Sequence, residues 1–341
     1  MDLRQTLTKQ FNPLVSHVER TFEHVIGSGA ALMVIHRDEI VMETYWGKQS
    51  LEQSARTVQA DTQFHAASVR KSYIGYAAAY AVTCGAIASI DDQVMKYLPH
   101  LNEERMTGTT IRHLLTHTHG LHGTYTGEIV REFPAGSSWA YRGVGIDMLA
   151  QIVKRTTGKT IAQIVQEQVF QPLGFVETGW RAKLDPKMVE VIRKPDDTSW
   201  YTSTSTEGDK MNLYVSAREL AYWGYFHLKK GFVDGKQLVP REVIDLATTV
   251  QSPPLQDKDL PQNGFLWFVK DLPADKTEIG ERVPRGSYQI LGYTGVTLLV
   301  IPEHEFVAVR MFNSFGSPPG YDYLGDVRGF GDCAMRCLLE S

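Results

Sequence analysis

Strand-forming sequence is confined to the two ends of this chain, and that separation limits the folds open to it. Near the start, the run ALMVIHRDEIVMETYWG has apolar residues from Ala31 to Ile35, a polar turn at Arg37-Asp38-Glu39 and an apolar-rich return to Trp46, the pattern of a hairpin. Comparable runs reappear only near the end, as GFLWFVKDL, SYQILGY and GVTLLVIPEHEFVAVRMFN, the last being two apolar runs joined by a turn at Pro302-Glu303-His304. Between these ends the periodicity is helical. A long helix from about Ser68 to Ala86, rich in Ala and Tyr, is too small-residue-rich for the surface and is predicted to be central. Further helices are predicted near residues 111–117, 144–157, 161–170, 217–230 and 241–250, with no strong strand among them. Strands at both ends must share one sheet, so the helical middle is an insertion. The expected fold is therefore α/β of the α+β type, one domain over residues 1–341. An antiparallel sheet lobe (about 1–60 and 255–341) is flanked by terminal helices at 3–26, with Pro13 as a kink or boundary, and about 326–339. An all-helical lobe (about 61–254) is inserted into it. No internal repeat, low-complexity tract or Gly/Ser linker offers a further cut.

Composition narrows the function classes. With 43% hydrophobic and 22% charged residues over 341, the chain is neither disordered nor fibrous nor a disulfide-stapled miniprotein. Its formal charge of −4 lacks the basic excess that phosphate backbones select, so no nucleic-acid partner is expected. Three cysteines, Cys84, Cys333 and Cys337, are too few and odd in number for a disulfide framework, and Cys84 reads as a small buried hydrophobe. The N-terminal stretch MDLRQTLTKQFNPLVSHVERTF never runs apolar long enough for a signal peptide or a membrane span, so the expectation is a cytoplasmic protein in a reducing compartment with no membrane partner.

Chemistry concentrates at Ser68-Val69-Arg70-Lys71, the only S-x-x-K in the sequence. A serine at a helix start lies in the positive end of the macrodipole, and a lysine three residues on returns its amine to the same face. A desolvated, neutral amine there would take the hydroxyl proton and make the serine a nucleophile. A chain of this length contains about one such tetrapeptide by chance, and a serine capping a helix beside a solvated lysine is the competing account.

Context shifts the weight. After FHAASVRK come IRHLLTHTHGL (Ile111–Leu121), FPAGSSWAY (Phe133–Tyr141), PLGFVET (Pro172–Thr178), VSARELA (Val215–Ala221) and GYTG (Gly292–Gly295). In this order they resemble the serine β-lactamase and penicillin-binding-protein-like hydrolases, specifically the branch of class C β-lactamases, D-alanyl-D-alanine carboxypeptidases and related esterases; S-x-x-K also marks the neighbouring class A branch. The resemblance covers most of the chain, from about Ala31 to Asn313. It implies that Ser68 is the acyl-accepting nucleophile and Lys71 the proton acceptor or relay. Tyr141 is then a second acid/base group, its phenol lowered by Lys71. The backbone N–H groups of Ser68 and Val296 would form the oxyanion hole, and Tyr293, Thr294 and Gly295 would contact substrate. It implies no metal or organic cofactor, and a small ester, amide or β-lactam-like molecule as substrate.

Two positions depart from the family pattern. Tyr141-Arg142-Gly143 replaces Tyr-x-Asn, removing an amide, and Tyr293 stands where Lys or His usually precedes Thr-Gly, removing a cation. Hydrolysis of a smaller ester or amide is thus favoured over penicillin or stem-peptide turnover, with Arg142 or Arg285 as candidates to restore the charge. A catalytically silent binding or regulatory protein on the same fold is the second reading. The third is a zinc hydrolase, suggested by His117-Thr118-His119-Gly120-Leu121-His122, which nevertheless carries Leu121 where the metal motif wants Asp. Tyr125, Trp200, Tyr201 and Tyr288 are candidates to line an apolar cleft.

Overall fold

The structure is a computed structural model that describes residues 1, 3–194, 197 and 200–340. Its main sheet has seven strands: β1 (Arg4–Gln5), β2 (Gly29–His36), β3 (Glu39–Gly47), β4 (Phe268–Val269), β5 (Tyr288–Gly292), β6 (Val296–Ile301) and β7 (Phe306–Phe312). They lie side by side in the order β1-β3-β2-β7-β6-β5-β4, so the first hairpin and the last three long strands meet at the β2–β7 pair. Every pairing is antiparallel except β1 with β3. The β2–β3 turn is carried by Arg37 and Asp38, both at positive φ (49° and 66°), the backbone of a two-residue hairpin whose twist matches its strands.

The strands read as continuous apolar runs because both faces of the sheet are covered. Alternate residues point to opposite sides. Ala30, Leu32, Val34, Phe306, Ala308 and Phe312 pack with the terminal helices α1 (Asn12–His24) and α6 (Tyr323–Leu339). Ala31, Met33, Ile35, Val307, Val309 and Met311 belong to a larger core. That core is shared with the inserted helices α2 (Arg70–Thr83), α3 (Val144–Thr157), α4 (Ala217–Leu228) and α5 (Arg241–Thr248). α2 is central, as its composition predicts: eleven of its fourteen residues are buried. A Cβ at Gly75 would lie 2.1 Å from the Phe265 carbonyl oxygen, so the Gly is what lets α2 pass this close to the chain leading into β4.

Several expectations are corrected. Residues 3–11 are not helical: Arg4–Gln5 pairs in parallel with Glu39–Ile40, and the helix begins at Asn12 with Pro13 in its first turn, where a missing N–H costs nothing. The inserted lobe holds short strands as well as helices. Gln63–His65, Leu213–Ser216 and Gly179–Trp180 form a three-stranded sheet, and Leu121–Gly123 pairs with Ile129–Arg131. These strands are two to four residues long, below the length at which alternation shows. Only Phe268–Val269 of GFLWFVKDL is a strand. Cys84 is exposed at the C-terminal cap of α2 rather than buried, while Cys333 and Cys337 are buried; none of the three forms a disulfide among the described residues. No helix among the described residues is long and apolar enough to cross a membrane.

Candidate active site

The segment carrying Ser68 is held from three directions. Gln63–His65 pairs with Leu213–Ser216, and the Ala66 N–H continues the connection to the Leu213 carbonyl at 2.9 Å. The turn after β5 is tied on by Thr294, whose buried Oγ1 donates to the His65 carbonyl at 2.8 Å. At the end of β5, a Cβ on Gly292 would lie 2.5 Å from the Ala66 carbonyl oxygen, so glycine permits the strand to abut this segment. Ala67 takes φ +46°, a left-handed conformation that costs a non-glycine residue roughly 1–2 kcal/mol. One 3₁₀ turn, Ala67–Val69, then feeds α2. The strain sits one residue before the serine and delivers its side chain to the lobe junction.

There Lys71 Nζ lies 3.1 Å from Ser68 Oγ. Lys71 is only 5% exposed and has no carboxylate partner among the described residues; burial, reinforced by the neighbouring Arg70 charge, holds its amine well below the ordinary lysine range. The Nζ also sits 3.7 Å from the centre of the Tyr141 ring. Tyr141 interacts through its side chain with Ser68, which favours the phenolate, but burial of the hydroxyl outweighs this and pushes its pKa up to about 12. The expectation that Lys71 lowers the phenol is therefore corrected: the amine faces the ring, and the phenol remains protonated at neutral pH. Phe268 lies parallel to Tyr141 with an interplanar angle of 10° and ring centres 6.3 Å apart.

The histidine run divides into separate tasks. His117, at φ +57° and 1% exposed, lies 4.6 Å from Tyr141 ring to ring, and neither of its nitrogens has a hydrogen-bond partner among the described residues. His119 Nδ1 accepts the Leu121 N–H at 2.9 Å, closing the turn. Among the described residues no group of three or more His, Cys, Asp or Glu side chains is placed to hold a metal ion.

Beside Tyr141 a cleft of about 610 Å³ opens, bordered by His122, Ile129, Arg142, Gly143, Asp147 and Met148 among others. Arg142 is present at its rim but committed to Glu132 at 2.6 Å. Arg285 is engaged on the surface with Asp271 at 2.8 Å and is not brought to the cleft. Tyr125 is fully exposed at the tip of the Leu121–Arg131 hairpin and does not line the cleft, and Tyr288 is buried in the core against Trp267; both correct the aromatic-lining expectation. Trp200 packs 4.6 Å from the His65 ring, whereas Tyr201 is half exposed. Tyr293 stands half exposed on the turn against Phe315, Gly295 completes that turn at φ +83°, and Val296 opens β6 opposite Gly292, buried. Sequence reasoning missed three buried polar groups: Arg70 and Glu278, whose charges act on the tyrosine, and His65 on the segment leading to Ser68; the Glu278 carboxyl is raised to about 7 by burial. Only Arg70 carried a signal, being inside the S-x-x-K tetrapeptide itself.

The whole arrangement falls within a family model, described as Beta-lactamase, that matches residues 18–329. The chain belongs to the β-lactamase family. A solved penicillin-binding protein homologue from Caulobacter crescentus has the same fold, with a TM-score of 0.77 over 99% of this chain and 100% of that one at 18% identity. An uncharacterised protein of Alkalihalophilus pseudofirmus is 59% identical along the full length of both chains. The esterase EstB of Burkholderia gladioli is 30% identical over 45% of this chain and 47% of its own, and a D-aminopeptidase of Brucella anthropi 22% identical over 59% and 39%. The match thus spans about half or less of the length of the esterase and of the D-aminopeptidase. As a β-lactamase family member, the chain has its serine, lysine and tyrosine at the junction of sheet and inserted lobe.

Proposed function

We propose that the protein is a serine hydrolase acting through an acyl-enzyme on a small ester or amide. The observation that carries this reading is the contact chain of Ser68, Lys71 and Tyr141, with a buried and unpaired lysine amine 3.1 Å from the hydroxyl. A neutral Lys71 accepts the Ser68 proton as Oγ attacks the carbonyl carbon. The tetrahedral oxyanion is stabilised by the Ser68 N–H and by a second donor from the Tyr293–Val296 turn, the family motif naming Val296. Tyr141, protonated at neutral pH, donates to the leaving oxygen or nitrogen and is reprotonated through Lys71. Water then attacks the acyl-enzyme by the reverse proton route. The names of the esterase and D-aminopeptidase relatives support an ester or amide as substrate.

Gly143 and Tyr293, at positions where the family places an amide and a cation, favour a second reading in which the fold binds without turnover. Intact-protein mass spectrometry after treatment with a fluorophosphonate separates the two. A single adduct, absent in Ser68→Ala, is the expected result. No adduct on folded protein overturns the hydrolase reading. A parallel incubation with a penicillin reports whether the cleft accepts a β-lactam.

A further inference from the structure

The cleft beside Tyr141, about 610 Å³, lies within the size range of small-molecule sites, roughly 300–1,000 Å³. It has two walls. One is the hairpin of Leu121–Gly123 with Ile129–Arg131, fixed at its base by Arg131, which donates to the His119 carbonyl at 3.0 Å and to Thr109 Oγ1 at 2.8 Å. The other is the start of α3, from Gly143 to Met148. Leu101, Ile129 and Val144, half-buried and packed against the larger core, border the cleft together with Met148 of that core. The arginine and the carboxylate at its edge are both paired, Arg142 with Glu132 at 2.6 Å and Asp147 with Lys210 at 3.2 Å. What the lining offers a ligand is therefore chiefly apolar surface. The cleft is wide because side chains are missing from both walls. A Cβ on Gly123 or on Gly143 would meet no atom within 4 Å, and neither backbone needs a glycine: Gly143 has φ −78°, and Gly123 has no positive φ. The departure at Gly143 thus exchanges an amide for room. Tyr141 joins this room to the chemistry, since its side chain interacts with Ser68 while the residue stays 37% exposed and borders the cleft.

We propose that this cleft receives an uncharged, apolar leaving group, so that the enzyme selects esters or amides of alkyl alcohols or amines, and that Gly123 and Gly143 set this preference by leaving the space unfilled. The inference rests on the hydrolase reading and names its substrate class. The leaving side is assigned because Tyr141, the proton donor to the leaving atom in that reading, borders the cleft: whatever is attached to that atom continues past the ring into it.

Two pairs of isomeric esters test it by acid release in a pH-stat: hexyl acetate against ethyl acetate, which lengthens the alcohol, and methyl heptanoate against methyl propanoate, which lengthens the acyl part by the same four methylenes. The readout is the ratio of kcat/KM, long over short, in wild type and Gly143→Leu. Each ratio is internal to one protein and cancels any general loss through folding. In wild type the alcohol ratio should be about 10- to 200-fold, from roughly 2- to 4-fold per buried methylene, and should exceed the acyl ratio. In Gly143→Leu the alcohol ratio should fall at least about fivefold while the acyl ratio holds. Gly123→Leu, on the opposite wall, gives the same reading if the start of α3 does not tolerate the leucine. An alcohol ratio near one in wild type, an alcohol ratio unchanged in the variant, or a fall in the acyl ratio instead overturns the proposal. Calorimetry with hexyl acetate on Ser68→Ala needs no turnover. Affinity at least about fivefold weaker in Ser68→Ala/Gly143→Leu than in Ser68→Ala supports the cleft even if the fluorophosphonate leaves Ser68 of the wild type unlabelled, and equal or unmeasurable affinity in Ser68→Ala refutes it.

Discussion

At the scale of single residues, desolvation is the effect the proposed mechanism depends on. Burial and the Arg70 charge hold the Lys71 amine below the ordinary lysine range and so favour the neutral form that the proposed base requires. Lys71→Arg puts a fixed charge where the mechanism needs an amine that can deprotonate, and should lower kcat by about 10²- to 10⁴-fold in a chromogenic ester assay. The same logic fixes the sign of the pH profile: activity falls on the acid side as the amine protonates and holds on the alkaline side up to the region of the Tyr141 phenol, about 12. A profile that rises only above pH 10 would show a lysine with an ordinary amine. Gly143 is a different case. A Cβ there would meet no atom within 4 Å, and the residue caps the N-terminus of α3, where Asn is a better cap than Gly by a few tenths of a kcal/mol. Gly143→Asn should therefore leave the melting temperature unchanged or slightly raised. If it also raises kcat/KM, the missing amide limits the wild-type enzyme.

At the scale of elements, the contacts that place the serine are backbone contacts. Gly292→Ala would drive a methyl to 2.5 Å from the Ala66 carbonyl, which must move and carry Ala67 and Ser68 with it. The expected outcome is a loss of fluorophosphonate labelling rate larger than the loss in thermal stability would explain; full labelling at the wild-type rate would show that this approach does not position the serine. Buried imidazoles set the acid limit of the fold. Burial lowers His65 to about 3, His119 and His227 to about 4, and holds His117 well below its ordinary value. Unfolded, each binds a proton near pH 6.5, so stability falls as pH drops below that value. Glu278, raised to about 7, acts in the opposite sense and offsets one proton between pH 6.5 and 4.5. Each net proton is worth roughly 1.4 kcal/mol per pH unit, so the urea midpoint should drop steeply over this interval. A flat midpoint would contradict it. Legibility in the sequence followed length at this scale. The long strands and α2, α3, α4 and α5 show their periodicity, whereas pairs such as Gly179–Trp180 do not, and the start of α1 was misread because Leu3 and Leu7 extend its apolar spacing past Pro13.

At the scale of the whole molecule, the sheet from both chain ends and the inserted lobe meet at one seam, and the serine lies on it. Thr294→Val removes a buried hydrogen bond across that seam and leaves the His65 carbonyl without it, a loss of about 1–3 kcal/mol readable in chemical denaturation. An unchanged midpoint would show that the seam does not depend on this bond. The order of motifs made the architecture and the Ser68, Lys71, Tyr141 trio legible before any coordinates. Burial did not become legible that way: the raised phenol of Tyr141, the exposure of Tyr125 and the burial of Arg70 depend on neighbours far away in sequence. The pairing of β2 with β7 has a consequence for biosynthesis. Residues 29–36 leave the ribosome early and wait with an open hydrogen-bonding edge until residues 306–312 follow, and Thr294 reaches His65 only in the same late phase. A nascent chain halted before β5 therefore holds Ser68 and Lys71 without the strand that braces them, so the serine reactivity proposed here would be acquired only after β5 to β7 have been made.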